Sequence, residues 1–210
     1  MNRLAVAREI CHVGRRLMER GLIAGGEGNI AVRLGPDRLL VTPHGRAKGD
    51  LEPGDLVEVD LDGHRLGGGG QPSSELAMHL AILRSRPATQ AVVHAHPPVA
   101  TGFATAGLAL DADMVPELAA DVGPVRLAPW GLPGSGEVGE SVLSVIGDSE
   151  AVLLASHGAV TLGRSLGEAH RRMESLEQAA RILLTAHLLG GARRLPPEDV
   201  ARLAALRLAT

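Results

Sequence analysis

Gln90-Ala-Val-Val-His-Ala-His-Pro-Pro98 is the stretch around which the rest of the chain is organised. Val92, His94 and His96 alternate with Ala91, Val93 and Ala95. Residues two apart in a β-strand share a face, so His94 and His96 stand side by side with small apolar residues behind them. Two imidazoles so placed offer two of the three nitrogens of a three-nitrogen metal site. His-x-His alone is a weak signal, and its plain reading is a strand end with two solvated histidines.

The totals narrow the function classes. A chain of 210 residues suits one domain spanning residues 1–210, and 45% hydrophobic residues are enough for a core. A net charge of −3 argues against a nucleic-acid or membrane surface. The absence of tyrosine, with only Phe103 and Trp130, argues against base stacking. The lone Cys11 excludes an internal disulfide framework and fits a reducing, cytoplasmic setting. Arg3, Arg8 and Glu9 argue against a signal peptide, and no apolar run approaches bilayer length.

Upstream, Leu4, Ala7, Ile10, Cys11, Val13, Leu17 and Met18 fall at helical spacing, and Gly21 ends that helix. Ile23-Ala-Gly-Gly-Glu-Gly-Asn29 reads as a turn or as a backbone nest for an anion. Asn29–Leu34 and Arg38–Thr42 form a strand pair, and Leu56–Leu61 opens a hairpin at Asp62-Gly63. Gln71-Pro-Ser-Ser-Glu-Leu76 starts a helix running to Arg86. Ser73 and Ser74 either cap it or hold a phosphate at its positive end. His79, one turn past Glu75, has a supporting or packing duty rather than a metal-ligating one.

Downstream, a small-residue helix follows over Val99–Ala106, whereas Gly107–Gly123 has no clear pattern. Pro124–Ala128 reads as a strand and Glu137–Ile146 as a helix. Ala151–Ala155 is a buried strand ending in Ser156-His157-Gly158, with Ala159–Leu162 continuing as strand after a kink. Ser165 opens the longest helix, whose polar side carries the pairs Glu168/Arg172 and Glu177/Arg181. Glu198–Leu208 is a final short helix.

His157 stands where a buried strand meets a glycine. With His94 and His96 it makes three imidazoles and an open position, the pattern of a catalytic zinc site. Glu75 is placed to act as general base or to fill the open position at rest.

In Gly28-Asn29, Thr42-Pro-His-Gly45, Pro72-Ser-Ser-Glu75, Val93-His-Ala-His96, Ala128-Pro129 and Ser156-His-Gly158, in this order, the chain resembles the class II aldolase/adducin family. The resemblance runs from about Leu4 to about Leu189. It implies an α/β fold of three layers (α/β/α), with a central, mostly antiparallel sheet flanked by helices. It also implies a homotetramer with the active site at a subunit interface. His94, His96 and His157 match the family's zinc (Zn2+) ligands, and Glu75 its catalytic acid/base. Gly28, Asn29, Gly45, Ser73 and Ser74 match positions that hold the substrate phosphate. The implied reaction is retro-aldol cleavage of a ketose 1-phosphate, such as L-fuculose 1-phosphate or a related deoxy-ketose phosphate, to dihydroxyacetone phosphate and an aldehyde. Dehydratases, decarboxylases, epimerases and non-catalytic adducin-like modules belong to the same family.

Two departures stand out. The family's aldolase uses a tyrosine of the neighbouring subunit as proton donor, and this chain has none. The equivalent region lies near Asp113–Glu117, so Asp113, Glu117 or a water held by them is the expected replacement. His44 stands where the aldolase has a small hydroxyl residue, either as an added phosphate donor or as a reshaper of the pocket.

Overall fold

The computed structural model describes Asn2–Ala209. In chain order the elements are α1 (Arg3–Glu19), β1 (Asn29–Gly35), β2 (Arg38–Val41), β3 (Val57–Asp60), β4 (Arg65–Gly68), α2 (Leu76–Ser85), β5 (Ala91–Ala95), α3 (Pro98–Thr105), α4 (Pro116–Asp121), β6 (Arg126–Ala128), α5 (Gly136–Val145), β7 (Ala151–Leu154), β8 (Gly158–Gly163), α6 (Leu166–Leu188) and α7 (Pro197–Ala209). The strands form one 8-stranded sheet in the order β4-β3-β2-β1-β5-β8-β7-β6. Every neighbouring pair is antiparallel except β6 with β7. The three-layer, mostly antiparallel α/β/α expectation is therefore met. Among the described residues no helix is long and apolar enough to cross a membrane.

The alternation in β5 does what its period demands. Ala91, Val93 and Ala95 join one core with Ile10 and Leu17 of α1, Phe103 of α3, and Met173 and Leu176 of α6. Val92 joins the opposite core with Met78 and Ile82 of α2, Val142 of α5, and Val160 and Leu162 of β8. His94 shares Val92's face, so it points to the α2 side. All five residues of β5 are buried, because β1 and β8 pair with its two edges and helices cover both faces.

Two glycines permit close approaches near this strand. A Cβ on Gly28, where φ is 70°, would lie 2.8 Å from His94 O and 2.8 Å from Ile23 Cγ2. A Cβ on Gly158 would lie 2.6 Å from Ala95 O and 2.7 Å from His96 Cδ2.

The structure departs from the sequence expectation in three places. The chain does not continue past Gly158 along one strand. It reverses, with Leu154 paired to Gly158 and Ser156 at φ 53°, so β7 and β8 are a hairpin. The unread segment after Gly107 contains a 3-10 turn at Ala112–Met114 and the short α4. Glu177 is not on the polar side of α6 but 3% exposed.

Glu177 is drawn inward by the start of α3. Pro97-Pro98 leads directly into that helix, and its first amides need an acceptor. Glu177 Oε2 accepts from Val99 N at 3.1 Å and Ala100 N at 3.0 Å, while Arg181 Nε donates to Oε1 at 2.9 Å. This carboxylate fixes the chain just beyond His96. Glu177→Ala is expected to lower the unfolding free energy by about 2 kcal/mol in urea denaturation. A change below about 0.5 kcal/mol, the scale of an ordinary surface substitution, would count against the capping role.

Candidate active site

Three imidazoles meet at one end of β5 and β8. His94 is the fourth residue of β5, His96 follows its end, and His157 sits in the turn between β7 and β8. Their ring centroids are 4.8 to 5.1 Å apart. His94 is fully buried, and its Nδ1 lies 2.9 Å from Ala159 O. A carbonyl only accepts, so Nδ1 carries a proton and Nε2 is the nitrogen turned into the site. His96 Nε2 stands 3.1 Å from His94 Nε2.

Glu75 enters this group from the start of α2. Its Oε2 is 3.1 Å from His94 Nε2 and its Oε1 is 3.3 Å from His157 Nε2. Donors at about 2.0–2.1 Å from a tetrahedral ion are separated by roughly 3.3 Å. The spacings of 3.1 and 3.3 Å match that edge length. Glu75 Oε1 is buried and has no hydrogen-bond partner. Three imidazoles with an acidic oxygen left unpaired beside them suit a divalent metal, and the residues fit such an ion.

The protonation states agree with that chemistry. Burial, then neighbouring His94, holds His157 down at about 4 against an ordinary 6.5. Burial and His94 likewise lower His96. Burial alone would raise Glu75, but His94, the Asn29 hydrogen bond and His157 outweigh it. Glu75 is therefore held well below the usual carboxylate range. At neutral pH the site pairs an ionised Glu75 carboxylate with neutral rings at His96 and His157.

The residues expected around a phosphate also converge. Asn29 opens β1 opposite His94 in the ladder. Thr42 N donates to Ile30 O at 3.0 Å, Ser73 N to Thr42 O at 3.1 Å, and His44 N to Gln71 O at 2.9 Å. These bonds bring Gly28-Asn29, His44-Gly45 and Ser73-Ser74 to one rim. They also occupy the amides of His44 and Ser73. Ser73 Oγ accepts from Glu75 N at 3.3 Å, one residue ahead of α2 and so not as a side-chain cap of the helix, while Ser74 is exposed. The Asn29 side chain turns inward, donating from Nδ2 to Glu75 Oε2 at 2.7 Å.

Asp113 and Glu117 stand elsewhere in the chain. Asp113 ion-pairs with Arg194 and has one buried oxygen without a partner. Glu117 is exposed in the first turn of α4. Within one chain neither hydrogen-bonds to the three histidines.

Two residues had no sequence signal. Lys48 is 2% exposed, and its Nζ donates to Gly26 O at 2.6 Å and Arg46 O at 2.7 Å. This places a cation under the glycine-rich loop. Glu27, within that loop, accepts from Ala24 N at 3.0 Å and stands 3.5 Å from His96 Nδ1. Neither lies at a spacing that links it to a histidine in the sequence. Only the fold of the loop onto β5 reveals them.

The chain belongs to the family described as Class II Aldolase and Adducin N-terminal domain, whose model matches residues 8–184. It is 34% identical over 184 residues to the 3-oxo-tetronate 4-phosphate decarboxylase of Escherichia coli (strain K12), covering 85% of this chain and 86% of that one. It is also 34% identical over 198 residues to the 5-deoxy-D-ribulose 1-phosphate aldolase of Bacillus thuringiensis serovar kurstaki, covering 93% and 92%. A solved structure of L-fuculose 1-phosphate aldolase superposes with a TM-score of 0.90 at 30% identity, covering 96% of this chain and 95% of that one.

The buried neutral rings carry a pH signature. His79, fully buried on α2, is held by burial and by His94 at about 3, and His157 at about 4, whereas the unfolded chain protonates near 6.5. Between those limits the unfolded state binds more protons, so stability falls as pH falls. The metal-free protein should lose up to about 1.4 kcal/mol per pH unit for each such ring. Urea midpoints at several pH values between about 7 and 4.5 test this, and a flat profile would contradict it.

Proposed function

We propose that the chain is a zinc-dependent lyase of the class II aldolase type, cleaving a ketose 1-phosphate to dihydroxyacetone phosphate and an aldehyde. The observation that carries the proposal is the tetrahedral spacing of His94, His96 and Glu75 donors, with His157 facing the free oxygen of Glu75. His94, His96 and His157 would hold the ion through Nε2. When bound, zinc supplies Lewis-acid stabilisation of the negative charge of an enediolate. Glu75, ionised and beside that position, exchanges a proton with the carbon next to the carbonyl. Gly28, His44, Gly45, Ser73 and Ser74 orient the phosphate away from the reacting carbons, with the Asn29 side chain turned to Glu75 instead and Lys48 adding a fixed positive charge behind the loop.

The proposed assembly is a cytoplasmic homotetramer with the site at a subunit interface. Trp130 and Leu132 support it, being 59% and 53% exposed on the loop that brings Gly134 against Ser74. A neighbouring subunit would bring its Asp113 or Glu117, or a water held by them, to the departing aldehyde.

A second reading has an observation of its own. Loss of carbon dioxide from a 3-oxo-acid 4-phosphate generates the same enediolate. That step has no hydroxyl that must lose its proton to become an aldehyde and so needs no equivalent of the missing tyrosine. The 34% identity to a 3-oxo-tetronate 4-phosphate decarboxylase supports it.

The zinc-loaded protein is to be incubated with ketose 1-phosphates, including 5-deoxyribulose 1-phosphate and L-fuculose 1-phosphate, and separately with 3-oxo-tetronate 4-phosphate. Release of dihydroxyacetone phosphate is followed in both, and carbon dioxide in the second. Turnover of the keto acid alone would move the assignment to the decarboxylase, and turnover of neither would sink the lyase proposal. Glu75→Gln should retain zinc and lose at least about 100-fold in kcat, and an unchanged kcat would remove Glu75 as the proton-transfer group. His94→Ala should lose the metal, and Glu27→Gln should weaken zinc about tenfold in chelator competition.

A further inference from the structure

His79 is buried on α2, one turn beyond Glu75, and its side chain meets the site through Asn29. Its Nε2 lies 2.5 Å from Asn29 Oδ1, and Asn29 Nδ2 lies 2.7 Å from Glu75 Oε2. His79, Asn29 and Glu75 are 1%, 4% and 8% exposed. His79 Nδ1 is buried and has no hydrogen-bond partner.

We infer that His79 is a positioning residue which, acting through Asn29, fixes one oxygen of Glu75 and leaves the other free to move the proton. The inference rests on the proposed role of Glu75. It follows from donor and acceptor counting. An amide can lie either way round in a pocket. With Nδ2 toward Glu75, the carboxylate receives a charge-assisted hydrogen bond. Reversed, the amide oxygen would face a carboxylate oxygen at 2.7 Å, two acceptors with no proton between them. The reversed amide would also present Nδ2 to His79 Nε2, moving the ring proton to Nδ1.

At Nδ1 that proton would be a buried donor without an acceptor. The neutral Nε2–H ring therefore admits one amide orientation. That orientation ties Oε2 of Glu75 to Asn29, and Oε1, facing His157 with no hydrogen-bond partner, is the oxygen left to exchange a proton. An apolar side chain at position 79 would fill the same space without choosing between the two amide orientations.

Two measurements test this, one of them independent of turnover. In protein labelled with 15N-histidine, two-bond proton–nitrogen correlation spectra report which ring nitrogen is protonated. His79, identified by the signal missing from His79→Gln, should be neutral with the proton on Nε2, and Asn29→Ala should shift its Nε2 resonance. A proton on Nδ1, or an Nε2 resonance indifferent to Asn29→Ala, would overturn the relay.

The second measurement uses the zinc-loaded enzyme on a substrate the wild type turns over. His79→Leu should keep its zinc, lower kcat by about 10- to 100-fold and leave KM within about threefold. His79→Gln, which restores an N–H donor toward Asn29, should recover most of kcat. Unchanged kcat in His79→Leu, or a folded, zinc-replete His79→Gln no better than His79→Leu, would also overturn it. If the wild type turns over none of the substrates, the lyase proposal fails and the spectra alone decide the relay.

Discussion

The structure depends on the pairing of β5 between β1 and β8. In that ladder Asn29 lies opposite His94 on one side and Val160 on the other. Backbone hydrogen bonds set those positions before any side chain takes part. They bring the amide that tethers Glu75, a ring that meets it and the Ala159 carbonyl that fixes that ring into one row. A slip of one residue would turn His94 to the opposite face and bury it against α6 and α1. The apolar alternation on both faces of β5 resists such a slip, because Val93 and Val92 belong to different cores.

Around this row the fold places charges so that each has a counterpart. Glu75 is ionised beside His94 and is held by the Asn29 amide. Glu177 is buried, but its carboxylate meets the first amides of α3 and Arg181. Lys48 is buried, but backbone carbonyls of the glycine loop and of Arg46 accept its protons. Unpaired buried charges are costly, so satisfied ones mark where backbone geometry has been arranged for them. The unpaired Oε1 of Glu75 stands out for the same reason.

Much of the fold was legible because its elements are strongly periodic. The alternation of β5 predicted both of its faces, the helical spacing of α1 predicted its extent within a residue or two, and Ser165 marked the start of α6. What failed was local. Ser156-His157-Gly158 reads as a kink in a strand because a left-handed Ser156 leaves no mark on sequence periodicity. Glu177 reads as half of a surface pair because its i,i+4 partner is visible and the amides of Val99 and Ala100 are not. In the site, the three histidines and Glu75 were nameable from motif and resemblance. Glu27 and Lys48 were not, since their partners come from the folding of one loop onto β5.

The sequence by itself determined which side chains could do chemistry here. It sets two histidines on one strand face, a third beside a glycine, a glutamate opening a helix, and no tyrosine anywhere. It determined the family as well, because those short motifs occur in one order. Only the tertiary structure decided their distances, and so the fit to a tetrahedral ion. It also turned Asn29 from the expected phosphate rim toward Glu75 and linked it to His79. The reason is physical: periodicity records which face a residue occupies, whereas a hydrogen bond between residues 29, 75 and 79 exists only once β1, β5 and α2 have packed.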